Sequence, residues 1–226
     1  MQLPTIYIIN CQNEERKARM EYRMKSVDLS YEFVQAIDLS HPSNKIIPGI
    51  PTACMMSHLK AIETFLNSKA EYAIICEDDV YIRRDFKSMI NLILQDFQKL
   101  ELDILLLGYL INFNLSQYFE NIYTNSSRRY YRYPDDLWGT QMYLISRKYA
   151  QYVVDNFTLE WAMNHEKNNF KIPFSSDWTI TKHGNRALIF PMLAVEEGIK
   201  SADTPETYKT YHQSCKIFNY HPTFFI

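Results

Sequence analysis

Tyr72-Ala73-Ile74-Ile75-Cys76-Glu77-Asp78-Asp79 is an uncharged apolar run that ends on three consecutive acids. A short run of this kind predicts a buried strand. Open α/β sheets bind their ligands just outside the carboxyl ends of such strands, so the acids stand where a site is expected. Two unit charges about 4 Å apart repel by about 4 kcal/mol at an effective dielectric of about 20, unless they are well hydrated or share a cation. On an extended backbone Glu77 and Asp79 point to one side and Asp78 to the other. Glu77 and Asp79 are therefore candidate oxygen ligands for Mg2+ or Mn2+, the hard cations that carboxylates suit, and such an ion would serve a diphosphate. The competing reading is a solvated turn in which an acid caps the next helix.

Outward from these acids the chain alternates strands and helices. Ile6-Tyr7-Ile8-Ile9 reads as a strand, residues 13–25 as a surface helix and residues 31–37 as a second strand. Pro, Ser, Asn and Gly mark a loop from Pro42 to Pro51. Met55, Leu59, Ile62 and Leu66 then fall at helical spacing, predicting an amphipathic helix over residues 53–67. Beyond the acids, Phe86, Met89, Ile90, Ile93 and Phe97 repeat at the helical period with Asp85 as N-cap. Residues 102–107 predict a buried strand, central in the sheet together with the strand before the acids. Residues 109–133 show no clean period and predict long loops or a hairpin. Residues 141–145 predict a strand, Ser146 caps a following helix, a loop surrounds Pro173, and Ala187-Leu188-Ile189-Phe190 is the last strand predicted. The apolar end Phe224-Phe225-Ile226 is expected to pack back on the domain or on a partner chain, ahead of peripheral membrane contact. This alternation predicts one α/β domain with a mostly parallel sheet covered by helices on both faces.

At 226 residues with 46% hydrophobic content the chain can bury a full core as one domain. A formal net charge of -2 argues against a broad grip on nucleic acid, which leaves Ser127-Arg128-Arg129 and the tyrosines after it as a local patch only. No apolar run reaches the length of about 18 residues needed to span a bilayer, and the start lacks a secretory pattern. The expectation is a cytoplasmic protein with reduced cysteines, whose membrane association, if any, is peripheral.

Several chemistries are disfavoured by what the sequence lacks. There is no P-loop, no G-x-G-x-x-G fingerprint and no G-x-S-x-G elbow. Ser57 and His58 are neighbours that point about 100° apart on a helix, and so form no dyad. Cys54 and His58 lie one helical turn apart, but as two ligands without a third they make a weak metal site.

Five segments, in order, resemble glycosyltransferase family 25, the lipopolysaccharide and collagen sugar transferases. They are Ile8-Ile9-Asn10 with Arg16 and Arg19 after it, Ala36-Ile37-Asp38, Ala53-Cys54-Met55-Met56-Ser57-His58, Glu77-Asp78-Asp79, and Gly139-Thr140-Gln141-Met142-Tyr143-Leu144-Ile145-Ser146. Ala53 and Met56 depart from the family's usual Gly and Leu, swaps that touch packing more than chemistry. The resemblance implies a GT-A type fold, with residues 1–108 as a nucleotide-sugar-binding half and 109–226 as an acceptor-binding half. It further implies inverting transfer of a hexose, galactose or glucose, from a UDP-sugar to a glycan or protein hydroxyl.

In that reading Asp79 and Glu77 hold Mn2+ or Mg2+, Asp78 orients the ribose or donor sugar, and Asn10 and Arg16 lie near the nucleotide. Inversion needs a base to take the acceptor proton. Asp177, beside Trp178, is the first candidate and Asp136, beside Trp138, the second; an N-cap role competes for Asp177. His212 or His221 would complete the metal shell. The rival readings are an inactive sugar-nucleotide-binding relative and a metal-dependent phosphoester hydrolase.

Overall fold

Ile6–Asn10 (β1) is buried along its whole length, and it sits between two parallel neighbours, Tyr31–Gln35 (β2) and Tyr72–Glu77 (β3). The computed structural model describes residues 3–41, 44, 49–167, 174–198 and 204–226. Most of the loop expected from Pro42 to Pro51, and Pro173 with its neighbours, lie outside these residues. In chain order the further elements begin with α1 (Glu14–Ser26), α2 (Ile50–Leu66), β4 (Val80–Ile82), α3 (Phe86–Lys99), β5 (Ile104–Gly108), β6 (Asn121–Asn125) and β7 (Arg128–Tyr131). After them come β8 (Met142–Ser146), α4 (Arg147–Asn156), α5 (Leu159–Lys167), α6 (Ser176–Thr179), β9 (Arg186–Phe190), β10 (Ala194–Glu196) and α7 (Glu206–Asn219).

Eight strands form one sheet in the order β2-β1-β3-β8-β5-β9-β7-β6. Following the pairings across it, all strands but β8 and β7 run the same way, so the sheet is mostly parallel. β3 and β5 are central as expected, with the antiparallel β8 between them. Because β8 and β9 pair into the first half's strands, residues 1–108 and 109–226 share a single sheet.

Strand side chains alternate between two cores. Tyr7, Ile9, Ile75, Leu106, Tyr143 and Leu188 face α2 and α4, where Met55, Ile62, Phe65 and Val153 meet them. Ile6, Ile8, Ile74, Leu105, Leu144 and Ile189 face α1 and α3, packing on Met20, Met24, Phe86, Ile90 and Phe97. The period of two in the strands and 3.6 in the helices thus covers both faces of the sheet.

Two expectations are corrected. Asp85 stands at the start of α3 without a capping hydrogen bond; its carboxylate is taken by Arg83 in a two-bond pair at 2.7 Å. The segment after Asp79 is the short strand β4, paired antiparallel with β10, which follows the strand predicted to be last. Residues 121–131 form a hairpin of two strands, one of the two forms expected for this stretch, with a short 3-10 turn at Leu115–Gln117 before it. The helix α7 has no counterpart in the sequence reading. Ser146 does cap α4, accepting from Tyr149 N. The tail also folds back, with Phe225 buried and Ile226 exchanging two backbone hydrogen bonds with Ile82.

Candidate active site

β1 and β3 are adjacent and parallel, so their carboxyl ends and the first turn of α1 converge. Asn10 donates to Asp78 Oδ2 at 2.6 Å and to the carbonyl of Asn13 at 3.1 Å, fixing the turn into α1, whose N-cap is Asn13. Arg16 then faces the acids, donating to Asp78 Oδ1 at 3.0 Å and lying 3.4 Å from Asp79 Oδ2. Burial pushes the Asp78 carboxyl up, and Arg16 and Asn10 only partly counter it. Burial works against the Arg16 charge too, but Asp79 and Asp78 outweigh it and raise its pKa.

Behind this corner, Asp79 accepts from Glu197 N through its backbone carbonyl at 2.7 Å. Glu197 is buried and held by Arg19 at 3.1 Å and by Arg23 at 2.7 Å. Two cationic residues of α1 therefore neutralise a carboxylate of the β4–β10 ribbon. That interaction fastens the ribbon, and with it Asp79, to the helix.

Glu77 goes elsewhere. The strand ends at Glu77 and residues 78–79 bend before β4, so the extended alternation that would pair Glu77 with Asp79 does not continue. Asp78 and Asp79 instead share Arg16, while Glu77 Oε1 lies 3.3 Å from His58 Nε2. His58, on α2 and fully buried, has Nδ1 3.2 Å from Tyr143 Oη. Burial pulls its pKa down, but hydrogen bonds to Cys54 and Glu77 override this and raise it to about 10. Among the described residues, Cys54, His58 and Glu77 are the one trio whose possible metal-ligand atoms all lie within 4.8 Å of one another. The third ligand that sequence reading could not supply for Cys54 and His58 is thus Glu77, brought from a strand distant in sequence.

A cavity of about 360 Å³ opens onto both groups. Arg16, His58, Glu77, Asp78 and Asp79 form its polar wall, while Ile9, Ile37, Leu39 and Ile50 form an apolar one.

Asp177 lies next to this cavity in the field of Glu77 and His58. Its Oδ1 accepts from Gly139 N at 2.7 Å, Thr140 N at 3.1 Å and Thr140 Oγ1 at 3.2 Å. Burial is the largest influence on its pKa and raises it, with the bond from Gly139 opposing. Three donors on one oxygen make Asp177 the anchor of the Gly139-Thr140 segment. Gly139 is needed there for space, because a Cβ would meet Leu106 Cδ1 at 2.8 Å. The neighbouring Gln141 carbonyl accepts from Glu77 N at 2.9 Å, so Asp177, Gly139 and Glu77 form one framework.

Asp136 is exposed and belongs to a different cleft, of about 340 Å³, shared with Trp138, Thr207, Tyr208 and Tyr211. The structure therefore separates the two base candidates, giving Asp177 to the framework and Asp136 to an aromatic cleft. His212 pairs with Glu196 through Nδ1, and His221 with Thr223 N in the C-terminal tail. Neither joins the acids, so the expected histidine of the metal shell is not found there among the described residues. Tyr208, Tyr211, Glu197 and the Cys54-His58-Glu77 grouping escape sequence reading. The helical spacing of Tyr208, Tyr211 and Cys215 is the signal for the first two; the rest need the fold.

Glu77, Asp78 and Asp79 bring carboxylate oxygens to one cavity wall, the donor chemistry that suits a hard divalent cation. No helix among those residues is long and apolar enough to cross a membrane.

A family model described as glycosyltransferase family 25 (LPS biosynthesis protein) matches residues 3–167. No curated protein matches the chain. Among solved structures the chain is similar to HddC from Yersinia pseudotuberculosis at 13% identity and TM-score 0.37, covering 92% of this chain and 76% of that one. It is also similar to mannose-1-phosphate geranyltransferase from Thermus thermophilus, at 9% identity and TM-score 0.43, covering 84% and 74%. A UDP-glucose pyrophosphorylase complexed with UDP-glucose gives 11% identity and TM-score 0.40, covering 93% and 80%.

Proposed function

The chain belongs to glycosyltransferase family 25, and from that premise we propose that it is an inverting, metal-assisted hexosyltransferase, moving galactose or glucose from a UDP-sugar to an acceptor hydroxyl. The observation that carries the reading is the acid corner at the carboxyl ends of β1 and β3, opening on a cavity with one polar and one apolar wall. The polar wall suits a pyrophosphate and the apolar wall a nucleobase.

Glu77 and Asp79 would hold Mn2+ or Mg2+, which when bound offsets charge on the departing diphosphate. The other roles fall to the chain itself. Asn10 and Arg16 fix Asp78 in place, where it can accept from ribose or sugar hydroxyls. Arg16 adds positive charge to a site that must accommodate negative charge on the leaving group. The acceptor oxygen attacks the anomeric carbon from the face opposite UDP. The carbon–oxygen bond to UDP breaks with its electron pair leaving on the diphosphate, and the acceptor proton passes to a carboxylate base. Asp136 is the base in this account, because it is exposed in the aromatic cleft while Asp177 Oδ1 is engaged by three donors.

UDP release from a panel of UDP-sugars, with Mn2+ and with a chelator, tests the reading. One or two donors should be turned over with metal, and Asp79→Asn should lower the rate by about two orders of magnitude or more. Donor-dependent stabilisation without turnover would instead mark a binding protein. Hydrolysis of simple phosphoesters regardless of the sugar would mark a hydrolase.

A further inference from the structure

We propose that the cleft between Asp136-Leu137-Trp138 and α7 is a subsite for a pyranose ring of a neutral glycan, which makes the acceptor a saccharide rather than a hydroxylated protein side chain. This rests on the transferase reading above and names its acceptor class.

The cleft is built from rings that hold one another. Trp138 stacks on Tyr208 with centroids 5.5 Å apart and planes at 21°. Tyr211 meets Trp138 edge-on at 6.3 Å and 82°, and its hydroxyl donates to the Leu110 carbonyl at 3.0 Å. Rings fixed in this way offer a large contact face at little cost in conformational entropy. A pyranose presents one face of C–H groups and a rim of hydroxyls, which matches an aromatic wall edged by the Asp136 carboxylate and the Thr207 hydroxyl. Tyrosines aside, Asp136 is the one ionisable group lining this cleft among the described residues. Those residues bring no lysine or arginine to it that could receive a phosphorylated or sialylated sugar, so the charge favours a neutral ring.

The cleft also continues. A second cavity of about 400 Å³ shares Asp136 and Tyr211 and adds Phe113, Tyr118 and Phe119. Two adjoining aromatic pockets suit a chain of more than one sugar better than a single side chain.

Position ties the cleft to the donor corner. Trp138 is three residues from Gln141, whose carbonyl accepts from Glu77 N, and three residues span at most about 11 Å. A ring resting on Trp138 is therefore within a sugar or two of the acids.

Protein with 15N-labelled indoles, titrated with lactose, cellobiose, a sialylated trisaccharide and a hydroxylysine peptide, tests this directly. The tryptophans are Trp138, Trp161 and Trp178, and Trp138→Phe assigns the resonance of interest. A neutral disaccharide should shift the Trp138 signal, leaving those of Trp161 and Trp178 in place, and the peptide should not shift it. With the disaccharide that binds, Trp138→Ala should raise the acceptor KM about tenfold or more, and Trp138→Phe, which keeps an aromatic face, should recover most of it. A Trp138 signal moved by no saccharide, or by the peptide alone, overturns the proposal, as does an unchanged KM in Trp138→Ala. UDP binding to the wild type, measured on the same sample, separates the two levels: its loss counts against the transferase reading, whereas a silent Trp138 beside normal UDP binding counts against the cleft alone.

Discussion

Asp177 shows how one side chain can look catalytic in sequence and be placed as a support. It stands beside Trp178 near the acid corner, yet its Oδ1 accepts from Gly139 N, Thr140 N and Thr140 Oγ1. Asp177→Asn keeps an acceptor oxygen and should retain transfer, whereas a base would lose it. Asp177→Ala leaves two backbone N–H groups without an acceptor and should cost about 1 to 3 kcal/mol in denaturant unfolding. The linkage has a definite sign. Burial raises the folded pKa of Asp177 above its unfolded value, so whatever stability the group contributes is present below the unfolded value, about 3.9, and is lost as pH rises through the folded one. The Asn variant should therefore gain on the wild type as pH rises above about 4, and a constant difference from pH 3 to 7 would contradict this. The three acids are legible as a site because an apolar strand leads into them. That Asp78 and Asp79 share Arg16 while Glu77 turns to His58 is not legible, since the bend after Glu77 depends on β10 pairing with β4.

At the scale of elements, Asp96 ties α3 to the edge hairpin. It is buried and accepts from Asn125 Nδ2 at 2.7 Å, Arg128 Nε at 2.9 Å and Tyr130 Oη at 2.7 Å. Asp96→Ala leaves Arg128 buried without its anion and should cost about 3 to 5 kcal/mol. Hydrogen exchange should show β6 and β7 losing protection ahead of β3 and β5, and a uniform loss would argue against local anchoring. The strong periods are readable: α2, α3 and α4 and strands β1, β3, β5, β8 and β9 follow from apolar spacing. The helix α7 is hidden because its apolar positions are mostly tyrosines and a cysteine, set among glutamate, lysine, histidine and glutamine. β4 and β10 are hidden because three residues hold no period; they exist because each completes the other.

For the whole molecule, the alternation of strands and helices predicts one sheet with two covered faces, and the two cores follow it residue by residue. What composition cannot reveal is the interleaving, in which β8 from the second half lies between β3 and β5 of the first. The acid corner and the aromatic cleft are thereby joined through Gln141 and Gly139. The chain end closes the structure: Phe225 is 5% exposed and Ile226 pairs with Ile82. Phe225→Ala should cost about 3 to 4 kcal/mol, read as a lower Tm, and an unchanged Tm would mean that the tail packs without stabilising. The account turns most directly on UDP binding at the acid corner, measured by titration calorimetry with Mn2+ and with a chelator, in the wild type and in Asp79→Asn. It predicts binding that needs the metal and is lost in the variant. UDP binding that is indifferent to both metal and Asp79, or absent from the wild type with Mn2+ present, would contradict it.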